Sequence, residues 1–314
     1  MIVYRDREIP RDSNSVVTIG VFDGIHRAHR RIIEEVTKRA RNRRGRSVVI
    51  TFDPHPREVV APTEGPVFVL MTLEERLAAL EHLNVDAASV IHFTYEFSRQ
   101  SAHQFYKKYV VDGVGVSEAV VGFDHMFGRD REGSIDALRS MGKQHGFAVI
   151  TVGPIEFDGK VVNSSKIRHA LSAGDVEEAA KLLGRPYELV GRVEKGSSRG
   201  MGLGFPTANI RPSSPQKLIP QQGVYFVQVE VGRREYFGMM NIGVRPTFEA
   251  DGQRVLEVHL LDFEGQIYGR ELKTKFLGWI RGEKKFSSGE QLVSQLRADE
   301  EECLTRKEKY LIKA

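Results

Sequence analysis

The sequence predicts two domains: an α/β domain built on a doubly wound parallel sheet over residues 1–183, and an antiparallel β-barrel with a terminal helix over residues 184–314. Three observations predict this. At 314 residues the chain is long enough to bury two cores. In the first half, short apolar runs alternate with segments of helical period, the rhythm of a parallel sheet. Beyond Gly184 strand-like alternations succeed one another without intervening helices, punctuated by glycine and proline, as in a barrel.

In chain order, Val16–Val21, Val48–Phe52, Ser89–Phe93, Ala119–Phe123 and Phe147–Val152 are rich in Val, Ile and Phe and read as strands buried on both faces. Between them Ile32, Ile33, Val36 and Ala40 fall on one helical face. Thr72 and Glu75 form a capping-box signature ahead of Arg76–Leu80, and Ser101 caps a helix over Ala102–Val111. The helix Asp175–Leu183 ends at the turn-type junction Gly184–Tyr187. Then come Leu189–Val193, Val224–Val231, Glu235–Asn241 and Val255–Leu261 as strands, and a final helix from about Ser288 to Leu311.

Composition excludes several classes. With 40% hydrophobic and 28% charged residues and no apolar run of membrane-spanning length, the chain reads as a soluble globular protein with no membrane partner. The charged N-terminus lacks a secretory apolar stretch. The single cysteine, Cys303, forms no internal disulfide framework and fits a reducing, cytoplasmic setting. A net charge of +4 and a pI near 9.0 suit either nucleic acid or anionic small substrates. The densest basic stretch, Lys38–Arg46, has no interleaved aromatics and sits where a helix should end, so nucleic acid is not expected.

The segment Gly20-Val-Phe22-Asp23-Gly24-Ile-His26-Arg-Ala28-His29 comes directly after the first of these strands and leads into a helix. Ligands of open parallel sheets bind where strands end and helices begin, and glycines there let backbone approach phosphate. His26 and His29, three apart, share a helical face and can donate to phosphoryl oxygens. Ser164 and Ser165 at a helix start, with Lys166 and Arg168 a turn on, suit a polyphosphate; alone they also read as an ordinary N-cap.

In the second half, Lys195-Gly196-Ser-Ser-Arg-Gly-Met-Gly-Leu-Gly204-Phe-Pro-Thr207-Ala-Asn209 is a glycine-rich loop able to close over phosphates, though it lacks the ending of a P-loop. Thr207 and Asn209 present oxygens on one side of an extended segment, which suits Mg²⁺. On these residues alone, a plain barrel loop with a turn at Phe-Pro is the alternative.

Together these motifs resemble the bacterial bifunctional riboflavin kinase/FAD synthetase family. The first segment resembles the GxFDGxHxGH signature of nucleotidyltransferases, and Thr51–Pro56 the family's second-strand motif. Gly122–Gly128 with Arg131 and Gly133 resembles GxDFxFGxxRxG, and Asn163–Arg168 resembles SSTxIR. The kinase motifs are matched by the intact GFPTAN, by Asn241–Phe248, by Glu257–Gly269 and by Arg281–Phe286. Ala28 stands where the family has Gly, His125 where it has Phe, and Asn163 where it has Ser.

The resemblance implies a nucleotidyltransferase-like first domain that adenylylates FMN to FAD with release of pyrophosphate. It implies a second that phosphorylates riboflavin with ATP and Mg²⁺. It places Glu257 as the base for the riboflavin hydroxyl, and His26 and His29 as charge stabilisers in adenylyl transfer. ATP and its phosphates fall to Gly20, Phe22, Asp23, Gly24, Ser164, Ser165, Lys166, Arg168, Lys195, Gly196, Gly204 and Asn241. The flavins fall to Asp124, Phe127, Arg131, Arg281 and Glu283. The rivals are a chain whose kinase half alone works and a nucleotide-gated RNA-binding protein; a homo-oligomer is left open.

Overall fold

The computed structural model describes residues 1–5, 8–129, 132–194, 204–244 and 254–313. They divide into two compact units, Met1–Ser164 and Ser165–Ala314.

The first unit runs β1 (Ile2–Arg5), β2 (Ser15–Ile19), α1 (Arg27–Asn42), β3 (Arg46–Asp53), α2 (Pro56–Val60), α3 (Leu73–His82), β4 (Ala87–His92), α4 (Tyr95–Ser98), α5 (Ala102–Phe105), β5 (Val116–Gly122), α6 (Ile135–His145), β6 (Ala148–Val152) and the small pair β7 (Glu156–Phe157) and β8 (Lys160–Val161). Alternate strand residues serve opposite faces. Val17, Ile50 and Val121 pack with Phe105, Tyr106 and Leu138. Val49 and Val90 face Ile33 of α1 and Leu77 of α3, and Val16 and Val120 meet Val36 and Ala40. Helices therefore cover both faces, as predicted.

All six strands of the main sheet are parallel, in the order β1-β4-β3-β2-β5-β6. Successive strands step one way from β2 through β3 to β4, then the other way through β5 to β6. The reversal lies between β2 and β5, so the loops leaving their carboxyl ends splay apart and open a crevice. The expected capping box Thr72–Glu75 forms, and Ser101 caps its helix, where Gln104 completes a second box. The segment after Ser101 differs from a simple helix: past Phe105 it winds as a π-helix over Tyr106–Val114, closed by left-handed Gly115.

The second unit begins with the remainder of α7 (Ser164–Ser172), then α8 (Val176–Leu183). Asp175 caps α8 and Gly184 ends it in the left-handed conformation. Both helices pack on the rest of this unit: Leu171 O accepts the N–H of Gln221, and the Glu177 carboxylate accepts that of Trp279. The boundary between the units therefore lies at the first residue of α7, between Ser164 and Ser165.

Strands β9 (Tyr187–Glu194), β10 (Ala208–Pro212), β11 (Gly223–Val231), β12 (Arg234–Val244), β13 (Arg254–Leu260) and β14 (Glu271–Arg281) close into an antiparallel barrel, order β10-β13-β12-β11-β14-β9. Its interior is filled by Tyr187, Tyr225, Met240, Leu256 and Phe276. The terminal helix α9 (Gly289–Lys313) brings buried Cys303 into an outer cluster with Phe237, Met239 and Leu261. Burial pushes the Cys303 thiol up to about 12, which keeps it un-ionised and inert.

Inside the barrel Thr274 lies opposite Val229 and Leu189, and its buried hydroxyl has no hydrogen-bond partner among the described residues. An unpaired buried hydroxyl costs about 1–3 kcal/mol, whereas valine fills the same volume. Thr274→Val is expected to stabilise the barrel by about 1 kcal/mol, read as a rise of about 2–4 °C in its melting temperature.

Candidate functional site

At the carboxyl end of β2, Gly20 still donates to Ile50 O (3.1 Å), and then the chain leaves the sheet. It turns through Phe22 (φ 54°), Gly24 (φ 91°) and Ile25 (φ 37°). Only glycine adopts such angles freely; at the other two the strain is about 1–3 kcal/mol each. Burial offsets it, since Phe22 and Ile25 are both almost fully enclosed.

Asp23 is buried, and its carboxylate accepts the N–H groups of Leu70 (3.0 Å) and Met71 (2.9 Å). That carboxylate holds the segment ahead of α3, while the Asp23 carbonyl accepts from Ser164 Oγ (3.0 Å). Beneath the turn lies Arg76 of α3, 4% exposed. Its guanidinium donates to Val21 O (2.7 Å) and Thr51 Oγ1 (2.9 Å), stitching the ends of β2 and β3 together. Burial lowers its pKa, and the charges of Asp23 and Asp53 oppose that. In sequence Arg76 looked like any surface helix residue; only its cross-chain partners reveal the role.

His26 is the N-cap of α1, and its Nδ1 accepts the N–H of His29 (3.4 Å). A neutral ring accepting at Nδ1 carries its proton on Nε2, which is therefore a donor. The His29 ring stacks on it at 3.6 Å and meets Phe22 edge-on at 5.2 Å. No acidic residue occupies the first turn of α1, so the positive helix end is not neutralised locally. Ala28 lies within this turn in helical conformation, where its methyl group carries no backbone penalty.

Across the crevice stands the loop after β5. Phe127 does not project into it: its ring packs at 4.0 Å from Phe105 and 5.7 Å from Phe52, anchoring the loop in the core. Gly128 (φ 82°) runs so close to Ala102 N that a methyl group there would approach to 2.5 Å. Asp124 is exposed, and beside it Phe123 and Met126 expose 43% and 49% of their surface. These two exposed apolar side chains of the loop are residues that motif reading did not single out. Arg131 lies outside the described residues.

His125 hydrogen-bonds through Nε2 to the buried Tyr106 hydroxyl. Burial depresses the His125 pKa from 6.5 to about 4. The unfolded chain takes up this proton near pH 6.5 and the folded one does not until about pH 4. Its contribution is therefore full above pH 6.5 and lost as pH falls towards 4. The melting temperature of the first unit is expected to drop across that window, and less steeply in His125→Phe.

In the barrel, strand register assembles the second constellation. Glu257 of β13 lies opposite Asn209 on one side and Asn241 on the other. Directly paired residues share a face, with Cβ atoms about 4.5–5.5 Å apart. Since Ala208, Ile210, Leu256, Val258, Met240 and Ile242 fill the interior, this row points outward, half-buried. Gly243 makes room beside it: a methyl group there would stand 2.8 Å from Glu283 Oε1 and 3.4 Å from Asn241 Nδ2. Glu283 thus joins Asn241.

Arg281 ends the same row, since Val224 lies opposite both Asn241 and Arg281, but its side chain turns to the terminal helix. Its guanidinium grips Asp299 of α9, Nε to Oδ1 at 2.9 Å and Nη2 to Oδ2 at 2.6 Å, with Asp299 2% exposed. Asp299 carried no signal in sequence. Thr207 is half-buried just before β10, and Gly204 is exposed at φ 83°. Lys195 and Gly196 lie outside the described residues. Ser165, Lys166 and Arg168 occupy the first turn and a half of α7 in the second unit.

Comparison with known proteins agrees on both halves. The FAD synthetase family profile matches residues 8–166, and the riboflavin kinase profile matches residues 183–306. A bifunctional riboflavin kinase/FMN adenylyltransferase from Pseudomonas fluorescens is 39% identical over 290 residues, 92% of each chain. One from Listeria monocytogenes is 37% identical over 291 residues, 93% of this chain and 92% of its own. A crystal structure described as a macrolide-efflux protein from Streptococcus pneumoniae superposes with a TM-score of 0.86 at 34% identity, covering 96% of this chain and 98% of that one. Among the described residues here, no helix is long and apolar enough to cross a membrane.

Proposed function

The chain belongs to the bifunctional riboflavin kinase/FMN adenylyltransferase family, and on that premise we propose which residues carry each reaction. It phosphorylates riboflavin with ATP to give FMN and ADP, and adenylylates FMN with a second ATP to give FAD and pyrophosphate.

The kinase reaction is assigned to the outward row of the barrel, and the observation that carries it is the register Asn209–Glu257–Asn241. The Glu257 carboxylate takes the proton of the riboflavin 5′-hydroxyl as that oxygen attacks the γ-phosphorus and ADP leaves. Asn241, Gly204, Lys195 and Gly196 bind ATP, and Glu283 with Arg281 lines the flavin side, Arg281 in the orientation Asp299 imposes. The paired half-buried oxygens of Thr207 and Asn209 fit Mg²⁺, a hard cation that would neutralise charge on the transferring phosphates.

Adenylyl transfer is assigned to the crevice at the sheet's reversal. The FMN phosphate attacks the α-phosphorus of ATP while His26 Nε2 and His29 donate to the phosphates. Gly20, Phe22, Asp23 and Gly24 shape the turn that lets backbone approach ATP. Ser164, Ser165, Lys166 and Arg168 bind the leaving pyrophosphate. Asp124, Phe127 and Arg131 form the flavin loop. We place the functional segments at 1–183 and 184–314, in the cytoplasm, with small-molecule substrates alone. Incubation with riboflavin, ATP and Mg²⁺ tests the reading: FMN appears first and FAD second. FMN accumulating without FAD would leave only the kinase half working.

A further inference from the structure

We propose that His259 is a positioning residue of the kinase site, fixing the backbone that presents Thr207 and Asn209. This rests on the reading of those two residues as the cation holders. Asn209 is held by strand pairing on both sides, to Glu257 and to Glu194. Thr207 has no such support, because β10 begins only at Ala208. The two residues just ahead of Thr207 are instead held by one side chain. His259 Nδ1 lies 2.8 Å from Pro206 O, and the buried Phe205 ring meets the imidazole edge-on at 5.5 Å.

A carbonyl oxygen only accepts, so Nδ1 must carry a proton and donate it. His259 is 8% exposed, and from the far side its Nε2 faces Glu300 Oε1 of α9 at 3.7 Å. Two residues along β13 stands Glu257, on the same face of the strand. One strand thus provides the base and, a step further on, the brace for the segment bearing the cation's oxygens. Groups that orient ligands in this way change metal affinity about 10–100-fold when removed.

The test compares two polar replacements. Asparagine places an amide N–H near where Nδ1 sits; glutamine places its own farther out, near Nε2. Binding of Mn²⁺ with ADP, read by electron paramagnetic resonance, is expected to stay near wild type in His259→Asn. It weakens about tenfold or more in His259→Gln and His259→Leu. The Mg²⁺ concentration for half-maximal riboflavin phosphorylation should move in parallel, with melting curves confirming that each variant folds.

Thr207→Ala and Asn209→Ala are measured alongside. If they weaken Mn²⁺·ADP while His259→Gln and His259→Asn both bind as wild type, the brace is overturned and the cation reading stands. Equal weakening in His259→Asn and His259→Gln also overturns it, because the donor's placement then does not matter. If neither Thr207→Ala nor Asn209→Ala changes binding, the cation reading fails and the inference falls with it. Should His259→Leu not fold, the asparagine–glutamine pair decides alone.

Discussion

Glu257→Gln is expected to lower riboflavin phosphorylation by about 10²–10⁴-fold, the usual contribution of a general base, while adenylylation of supplied FMN continues at the wild-type rate. Glutamine keeps the volume and hydrogen-bonding capacity of glutamate. Its cross-strand neighbours Asn209 and Asn241 are themselves neutral amides, so the swap strands no partner charge in the row. What it removes is the ability to accept a proton. The loss should therefore appear in kcat, with KM for riboflavin and ATP little changed. A second carboxylate stands nearby, since Glu283 Oε1 leans over Gly243 beside Asn241. Glu283→Gln discriminates: if it abolishes turnover and Glu257→Gln does not, the proton goes to Glu283 and the assignment of the base is wrong.

The two sites differ in how much of them the sequence discloses. The crevice was readable as far as its backbone, because an apolar strand leading into Gly-Val-Phe-Asp-Gly-Ile-His needs no distant partner to be recognised. Even so, Asp23 reads as a phosphate-side carboxylate in a motif, whereas its oxygens are committed to Leu70 and Met71. Arg76 and Asp299 were invisible, because a buried cation or carboxylate is identified by what it pairs with many residues away. Phe127 matched the flavin motif by position, yet its ring is spent on Phe105 and Phe52. The aromatic and thioether groups that this loop leaves exposed are Phe123 and Met126.

Strands show the same limit. β2 to β5 announced themselves as apolar runs buried on both faces; β6 was legible as an apolar run, but at the sheet's edge it is only half-buried rather than covered on both faces. β1, four residues pairing β4 alone, carries too little pattern to stand out. β10 starts inside GFPTAN and runs three residues past it, and a motif read for its chemistry was not read as a strand. β14 alternates from Glu271 to Gly278 with a period of two, a signal present in the sequence though absent from the expected strands. The row Asn209–Glu257–Asn241 depends on register between three strands, which no local pattern specifies.

His26→Asn is expected to cut adenylylation of FMN by about 10²–10³-fold, the loss typical of one preorganised donor to developing charge, and to leave riboflavin phosphorylation intact. Asparagine is chosen because His26 has a second task as the N-cap of α1, where its Nδ1 accepts the N–H of His29. Asparagine caps as well as any residue, so the helix start and the position of His29 survive. Its side chain is too short to place a donor where the imidazole Nε2 points. The variant therefore separates architecture from chemistry, which alanine would not do. An interaction made mainly with the displaced pyrophosphate strengthens as that bond breaks, so kcat should fall while the affinity for a non-hydrolysable ATP analogue stays within a few-fold of wild type. If affinity collapses in step with kcat, His26 holds ground-state ATP and transition-state stabilisation lies elsewhere. If neither changes, the stacked imidazoles at the head of α1 serve only to build the turn.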